Sequence, residues 1–306
     1  MLGLASVLSV EPMAAQVVDT ARARECPSCA EWNAAQQPFR IWGNTYYVGT
    51  RGLGAILITS PSGDILIDGA LPESADSIRA HIGLLGFRIE DVKLILNSHA
   101  HYDHAGGIAA LQRMSGARVA ASPWSARVLE GGKALPDDPQ FGIALDYPPV
   151  RSVRVIADGD TMRVGSLAVV AHFTPGHTPG GTTWTWRSCD GDTCHDMVYA
   201  DSQTPVSTDG FLFSRSPAVA EFQHSAAVLN SLPCDILITP HPGASKLFER
   251  VADGKLVDRD ACRALSATSA KQLDDRLRKE RARYSLNVAE TAPDRSRFPS
   301  PRTPHR

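Results

Sequence analysis

The chain has 306 residues, of which 43% are hydrophobic and 21% charged, with a formal net charge of −2. This is ample material for one large domain or two small ones, each with a core. There is no broad basic field to hold nucleic acid, and no run approaches the roughly 18 apolar residues of a membrane span.

Leu2 to Val10 is apolar, and Pro12-Met13-Ala14-Ala15 resembles a small-residue cleavage site, so residues 1–25 are expected to be a signal or leader segment although no basic residues precede it. Cys26-Pro27-Ser28-Cys29 follows. No βαβ pattern surrounds it, so a short-ring disulfide, a pair of thiols and an intermolecular partner all stay open. Phe39 to Val48 and Ala55 to Thr59 read as strands, Ser60 to Asp64 as a turn, and Ile65 to Asp68 as a further strand, giving a hairpin-rich opening. Glu73 to Leu85 has helical spacing, with Ile78, Ile82 and Leu85 on one stripe and Gly86 as the stop.

The β-prone run Val92 to Leu96 then leads into His99-Ala100-His101-Tyr102-Asp103-His104, with Gly106-Gly107 behind it. An apolar strand that ends in His-x-His-x-Asp-His is a strand opening into a ligand-bearing loop. Neutral imidazoles and a carboxylate suit a borderline-soft ion such as zinc. Alternate spacing puts His99 and His101 on one side of an extended segment, and Asp103 and His104 follow at the turn, free to serve a second ion.

Ile108 to Met114 and Trp124 to Glu130 read as helices around a short strand at Ala117 to Ala121. Gly131 to Pro149 holds Gly131-Gly132 and four prolines, a long loop of the kind that is often functional. Strands resume at Val153–Ile156, Met162–Val164, Leu167–Phe173, Thr182–Arg187 and Met197–Ala200. Two more histidines stand at Pro/Gly turns after apolar runs: His177 in Thr174-Pro175-Gly176-His177, and His241 in Thr239-Pro240-His241-Pro242-Gly243. Three strand ends would thus deliver six ligands to one edge of a sheet. His172, Trp184 and Trp186 are expected to pack within strands, and Asp68 is either a partner to a ligating histidine or a strand-end residue.

Ala218 to Leu232 and Cys262 to Arg283 read as helices, and residues 287–306, rich in Pro, Arg and Ser, as a disordered tail, leaving 26–286 as the domain. Strands followed by helices occur in both halves, so four layers with helices outside two sheets are the natural packing. Six cysteines suit disulfides in an exported protein, with 15 possible connectivities. Cys189 and Cys194 flank a turn-like segment between apolar runs and would clamp a hairpin; Cys234 and Cys262 would then pair.

The ligand set His99-x-His101-x-Asp103-His104, His177 and His241 resembles that of the metallo-β-lactamase superfamily over roughly Phe39 to Cys262. Tyr199-Ala200-Asp201-Ser202, Thr239-Pro240-His241-Pro242, Cys234 with Cys262, Asp138-Pro139-Gln140-Phe141 and Thr183 to Cys189 are similar to subclass B3. The resemblance implies an αββα sandwich with the site at one edge of its two sheets. It implies that His99, His101 and His177 bind a first zinc and that Asp103, His104 and His241 bind a second. Ser202 would stand beside the metal, and Ser202 and Thr204 would hold a substrate carboxylate, with Gln140 contacting substrate; no lysine is near this segment in the sequence.

The function implied by the resemblance is hydrolysis of a β-lactam amide by a metal-bridging hydroxide, with Asp103 also orienting the nucleophile, in a monomeric enzyme of the bacterial periplasm or exterior that confers antibiotic resistance. The main rival is a glyoxalase II-like thioesterase or lactonase, in which Asp201 would bridge the metals. A non-enzymatic zinc-binding domain is disfavoured because six ligands split three and three leave positions open, whereas structural zinc is closed by four.

Overall fold

In the computed structural model the described residues are 26–291, with side chains to 283; the expected leader lies outside them. Strands β1 (Phe39–Trp42), β2 (Thr45–Tyr47), β3 (Ile56–Ile58), β4 (Asp64–Ile67), β5 (Val92–Leu96), β6 (Arg118–Ala121) and β7 (Val153–Val155) form one sheet in sequence order. Its first half is antiparallel, and β4 through β7 are parallel. Strands β8 (Thr161–Val164), β9 (Leu167–Phe173), β10 (Thr182–Asp190), β11 (Thr193–Tyr199) and β12 (Ile236–Ile238) form a second sheet, antiparallel except for β11 with β12.

Alternation along the strands builds the layers. Ile56, Ile58, Ile65, Ile67, Leu94 and Leu96 share a core with Val169, Trp184, Trp186, Met197 and Tyr199 between the sheets. The interleaved Leu57, Leu66 and Ile95 instead join Ile78, Ile82, Ile108, Leu111, Val128 and Leu129, which come from helices covering the first sheet. Each such side chain contributes about 1.5–3 kcal/mol on burial, so strands apolar on both faces require cover on both sides.

The helices are α1 (Cys29–Trp32), α2 (Ala75–Leu84), α3 (Tyr102–Ala105), α4 (Ile108–Ser115), α5 (Pro123–Gly131), α6 (Ala218–Ser231), α7 (Leu247–Ala252) and α8 (Ala261–Thr291). Helices α6 and α8 cover the second sheet, where Val198, Ala200 and Leu237 meet Leu229 and Cys262. The expected four layers are therefore present.

Three expectations are corrected. The run Phe39 to Val48 is two strands paired as a hairpin, broken at Gly43. Gly43 has φ +50°, and a Cβ there would lie 2.4 Å from the Cys189 carbonyl oxygen, so both conformation and space demand glycine. The expected ligand-bearing loop after β5 contains the short helix α3. Helix α8 continues past Arg283 to Thr291, so the tail expected from 287 opens inside it; residues 292–306 lie outside the described ones.

Cys189–Cys194 closes the β10–β11 hairpin, Cys234–Cys262 ties the entry of β12 to α8, and Cys26–Cys29 are also bonded to each other.

Candidate metal centre

Beyond β5 the chain is held by one carboxylate. Buried Asp68, itself at φ +65°, accepts from Ser98 N at 2.7 Å, Ser98 Oγ at 2.6 Å, Asn97 Nδ2 at 3.1 Å and Tyr199 OH at 2.9 Å. Burial pushes its carboxyl up, and the charge of His104, with the hydrogen bonds from Ser98 and Tyr199, partly offsets that. Asp68 therefore grips the strand exit through Ser98 and Asn97 rather than through an imidazole, and Asn97 Nδ2 also donates to the His99 carbonyl at 2.7 Å.

Each ring of the first triad is turned by a partner on its far side. His99 Nδ1 donates to Asp201 Oδ1 at 2.7 Å, and His177 Nδ1 to the Thr204 carbonyl at 2.7 Å. His101 Nε2 faces Asp138 at 3.0 and 3.2 Å. Each of His99, His101 and His177 offers one ring nitrogen within 4.8 Å of those of the other two, with ring centroids 4.8–5.1 Å apart. Such outer partners fix tautomer and orientation in metal sites.

The second triad joins α3 to the loop after β12. Asp103 Oδ2 lies 3.1 Å from His104 Nε2 and 3.2 Å from His241 Nε2, and those nitrogens are 3.2 Å apart. His241 Nδ1 faces the Gly52 carbonyl at 3.3 Å, and the Trp32 ring lies 5.3 Å from its ring. His99 reaches Asp103 and His104 as well as its own triad, so the two sets adjoin.

These residues fit a metal. His99 Nε2 is buried with no hydrogen-bond partner among the described residues, a cost that a cation would remove. Burial, together with neighbouring imidazoles, holds His99 well below the usual histidine range and His177 at about 3, so both offer lone pairs at neutral pH. For Asp103 burial opposes ionisation, but the charge of His104 and hydrogen bonds from His104 and His241 outweigh it and hold the carboxyl well below its usual range. His99, His177 and Asp103 thus stand in metal-binding protonation states, whereas at His241 burial is outweighed by the hydrogen bond and charge of Asp103, which raise it above the usual histidine range. The His241 side chain is 36% exposed, so the site is open there.

The six expected ligands are all brought together, although not at the edge of one sheet: β5 belongs to the first sheet, and β9 and β12, which lead to His177 and His241, belong to the second. Gln140 Nε2 reaches His101 Nδ1 at 3.5 Å. Ser202 and Thr204 are half-buried beside the site, and Thr204 also turns the His177 ring. The long loop contributes Asp138 and, through Tyr147 OH, a 2.8 Å bond to the Ala100 carbonyl. Sequence reasoning missed Asp138 as a partner to His101; its type and setting do not distinguish it from Asp137. Asp201 Oδ1 is taken by His99 Nδ1, and its Oδ2 is buried without a hydrogen-bond partner among the described residues.

The metallo-beta-lactamase superfamily model matches residues 55–245, well over half of the chain. Among solved structures, Rm3 metallo-beta-lactamase is 55% identical, with a TM-score of 0.82 over 84% of this chain and 99% of that one. MEM-A1, a subclass B3 metallo-beta-lactamase from a soil metagenome library, is 47% identical, with a TM-score of 0.81 over 82% and 99%. The uncharacterized protein YobT of Bacillus subtilis (strain 168) is 31% identical over 47% of this chain, which spans 61% of YobT. With its ligand triads, its layered sheets and these similarities, the chain belongs to the metallo-β-lactamase superfamily and resembles its subclass B3.

Proposed function

We propose that this protein hydrolyses the amide bond of β-lactams with two zinc ions, as a monomer exported from the bacterial cell. The observation that carries the reading is a complete pair of three-donor sets in a chain 55% identical to Rm3 over almost all of that protein. His99, His101 and His177 would hold one zinc, and Asp103, His104 and His241 the other. Zinc bound there supplies Lewis acidity, which brings water ionisation toward neutral pH and polarises a carbonyl.

The chain's own residues do the rest. Asp201, Asp138 and the Thr204 carbonyl hold the imidazoles in one orientation, so little reorganisation is left for the reaction. Asp103, ionised between two imidazoles, orients the attacking water toward the ring carbonyl. Ser202 and Thr204 take the substrate carboxylate, and Gln140 closes the opposite wall. Three disulfides among the described residues support an oxidising compartment.

The test is a zinc count on the purified chain together with turnover of nitrocefin and a carbapenem, set against S-lactoylglutathione and an acyl-homoserine lactone. Two zinc ions and β-lactam turnover are expected, abolished by a chelator. Turnover of only the thioester or lactone would overturn the reading.

A further inference from the structure

A cavity of about 580 Å³ opens beside the metal centre. Ser202, Thr204 and His241 form one wall, and α8 forms the other through Ala264, Leu265 and Thr268. Its size is that of a small-molecule pocket. Three tethers fix the segments around the cavity. Cys234–Cys262 pins the start of α8. Arg276, further along the helix, donates to Ser207 Oγ at 2.8 Å and to the Phe211 carbonyl at 3.1 Å, holding the segment just beyond Thr204. At the base, Arg250 donates to the carbonyls of Leu237, Ser245 and Leu256.

Apolar atoms make up most of the exposed lining, and its charged side chains among the described residues are Asp201 and Asp258 against Lys246 and Arg250, with Asp201 turned to His99. Arg250 is spent on those three carbonyls and lies within the field of Asp258. Lys246 is exposed on the rim, at the turn five residues after His241, where its backbone is left-handed at φ 51°. No sequence window brings Lys246 near Thr204; the fold does.

We propose that this cavity receives the ring substituent next to the substrate carboxylate, with Ala264 and Thr268 setting its size limit and Lys246 favouring an anionic group. The proposal rests on the β-lactam reading. In bicyclic β-lactams the carbon bearing the carboxylate is bonded to the carbon bearing that substituent. A carboxylate held at Ser202 and Thr204 therefore leaves the substituent at the cavity mouth. An apolar stem meets Leu265 and Ala264, and a terminal anion meets the Lys246 ammonium.

The experiment uses cephalosporins with one common acylamino group and a substituent, not expelled on ring opening, that is methyl, bulky neutral, anionic or cationic. Ala264 and Thr268 are exposed, so Ala264→Trp and Thr268→Trp should fold with unchanged zinc content. Each should raise KM for the bulky substrates tenfold or more and leave the methyl compound within twofold. Lys246→Glu should raise KM about tenfold for the anionic substrate and lower it for the cationic one. Equal effects across the series, or none, would overturn the subsite while wild-type turnover upheld the β-lactam reading. A wild-type protein that turned over no member would overturn both.

Discussion

The hydrogen bond from His99 Nδ1 to Asp201 Oδ1, 2.7 Å between two fully buried groups, decides which face of the imidazole is presented to a metal. It puts the proton on Nδ1 and leaves Nε2 as a lone pair. Asp201→Asn can present an amide N–H to the same nitrogen, which favours the wrong tautomer. Zinc affinity at the first site should fall 10–100-fold, with two ions still bound at saturating zinc. Competition with a chromophoric chelator reads the affinity. A loss of stoichiometry at saturation would instead put Asp201 on the metal, as the thioesterase reading requires.

Asp103 is the carboxylate common to both imidazoles of the second triad. Asp103→Asn keeps the shape and removes the charge. The value of kcat/KM for nitrocefin should drop by about a thousandfold, roughly 4 kcal/mol of transition-state stabilisation, with circular dichroism unchanged. Wild-type rates in this variant would defeat the assigned role.

The Cys234–Cys262 bridge closes a 28-residue separation between the entry to β12 and α8. A loop of that size is worth about 3–4 kcal/mol by chain entropy. Cys262→Ser should lower the melting temperature by roughly 5–10 °C while zinc content stays at the wild-type level. An unchanged melting temperature would show that the bridge does not contribute to stability.

Which parts were legible depends on how local each signal is. The ligands His99 to His104 announce themselves because spacing within one strand exit sets their direction, and strands apolar at both parities announce two-sided cover. The β1–β2 hairpin was signalled by Gly43-Asn44 but masked by the aromatic run around it. Asp138 and Lys246 were illegible for a different reason. Their roles arise from contacts across 37 residues to His101 and across a cavity to Thr204, which no local pattern encodes.

Asp64, at the start of β4, shows a cost that the fold carries away from the site. The residue is only 3% exposed, and burial raises its pKa to about 6. The Ser60 N–H and Lys93 lower it, and Asp91 raises it further. The folded pKa lies above the unfolded value, so between about pH 4 and 6 the folded chain keeps a proton that the unfolded chain has released. Stability therefore falls as pH rises through that window, and the penalty is constant above it. Asp64→Asn removes the charge and retains an oxygen to accept the Ser60 N–H, now 3.2 Å from Asp64 Oδ1. The variant should be more stable than wild type by about 2 kcal/mol at pH 7.5 and gain almost nothing near pH 4. Denaturant melts of both proteins at the two pH values measure this difference. The same gain at both would mean that Asn packs better for reasons unrelated to the buried charge.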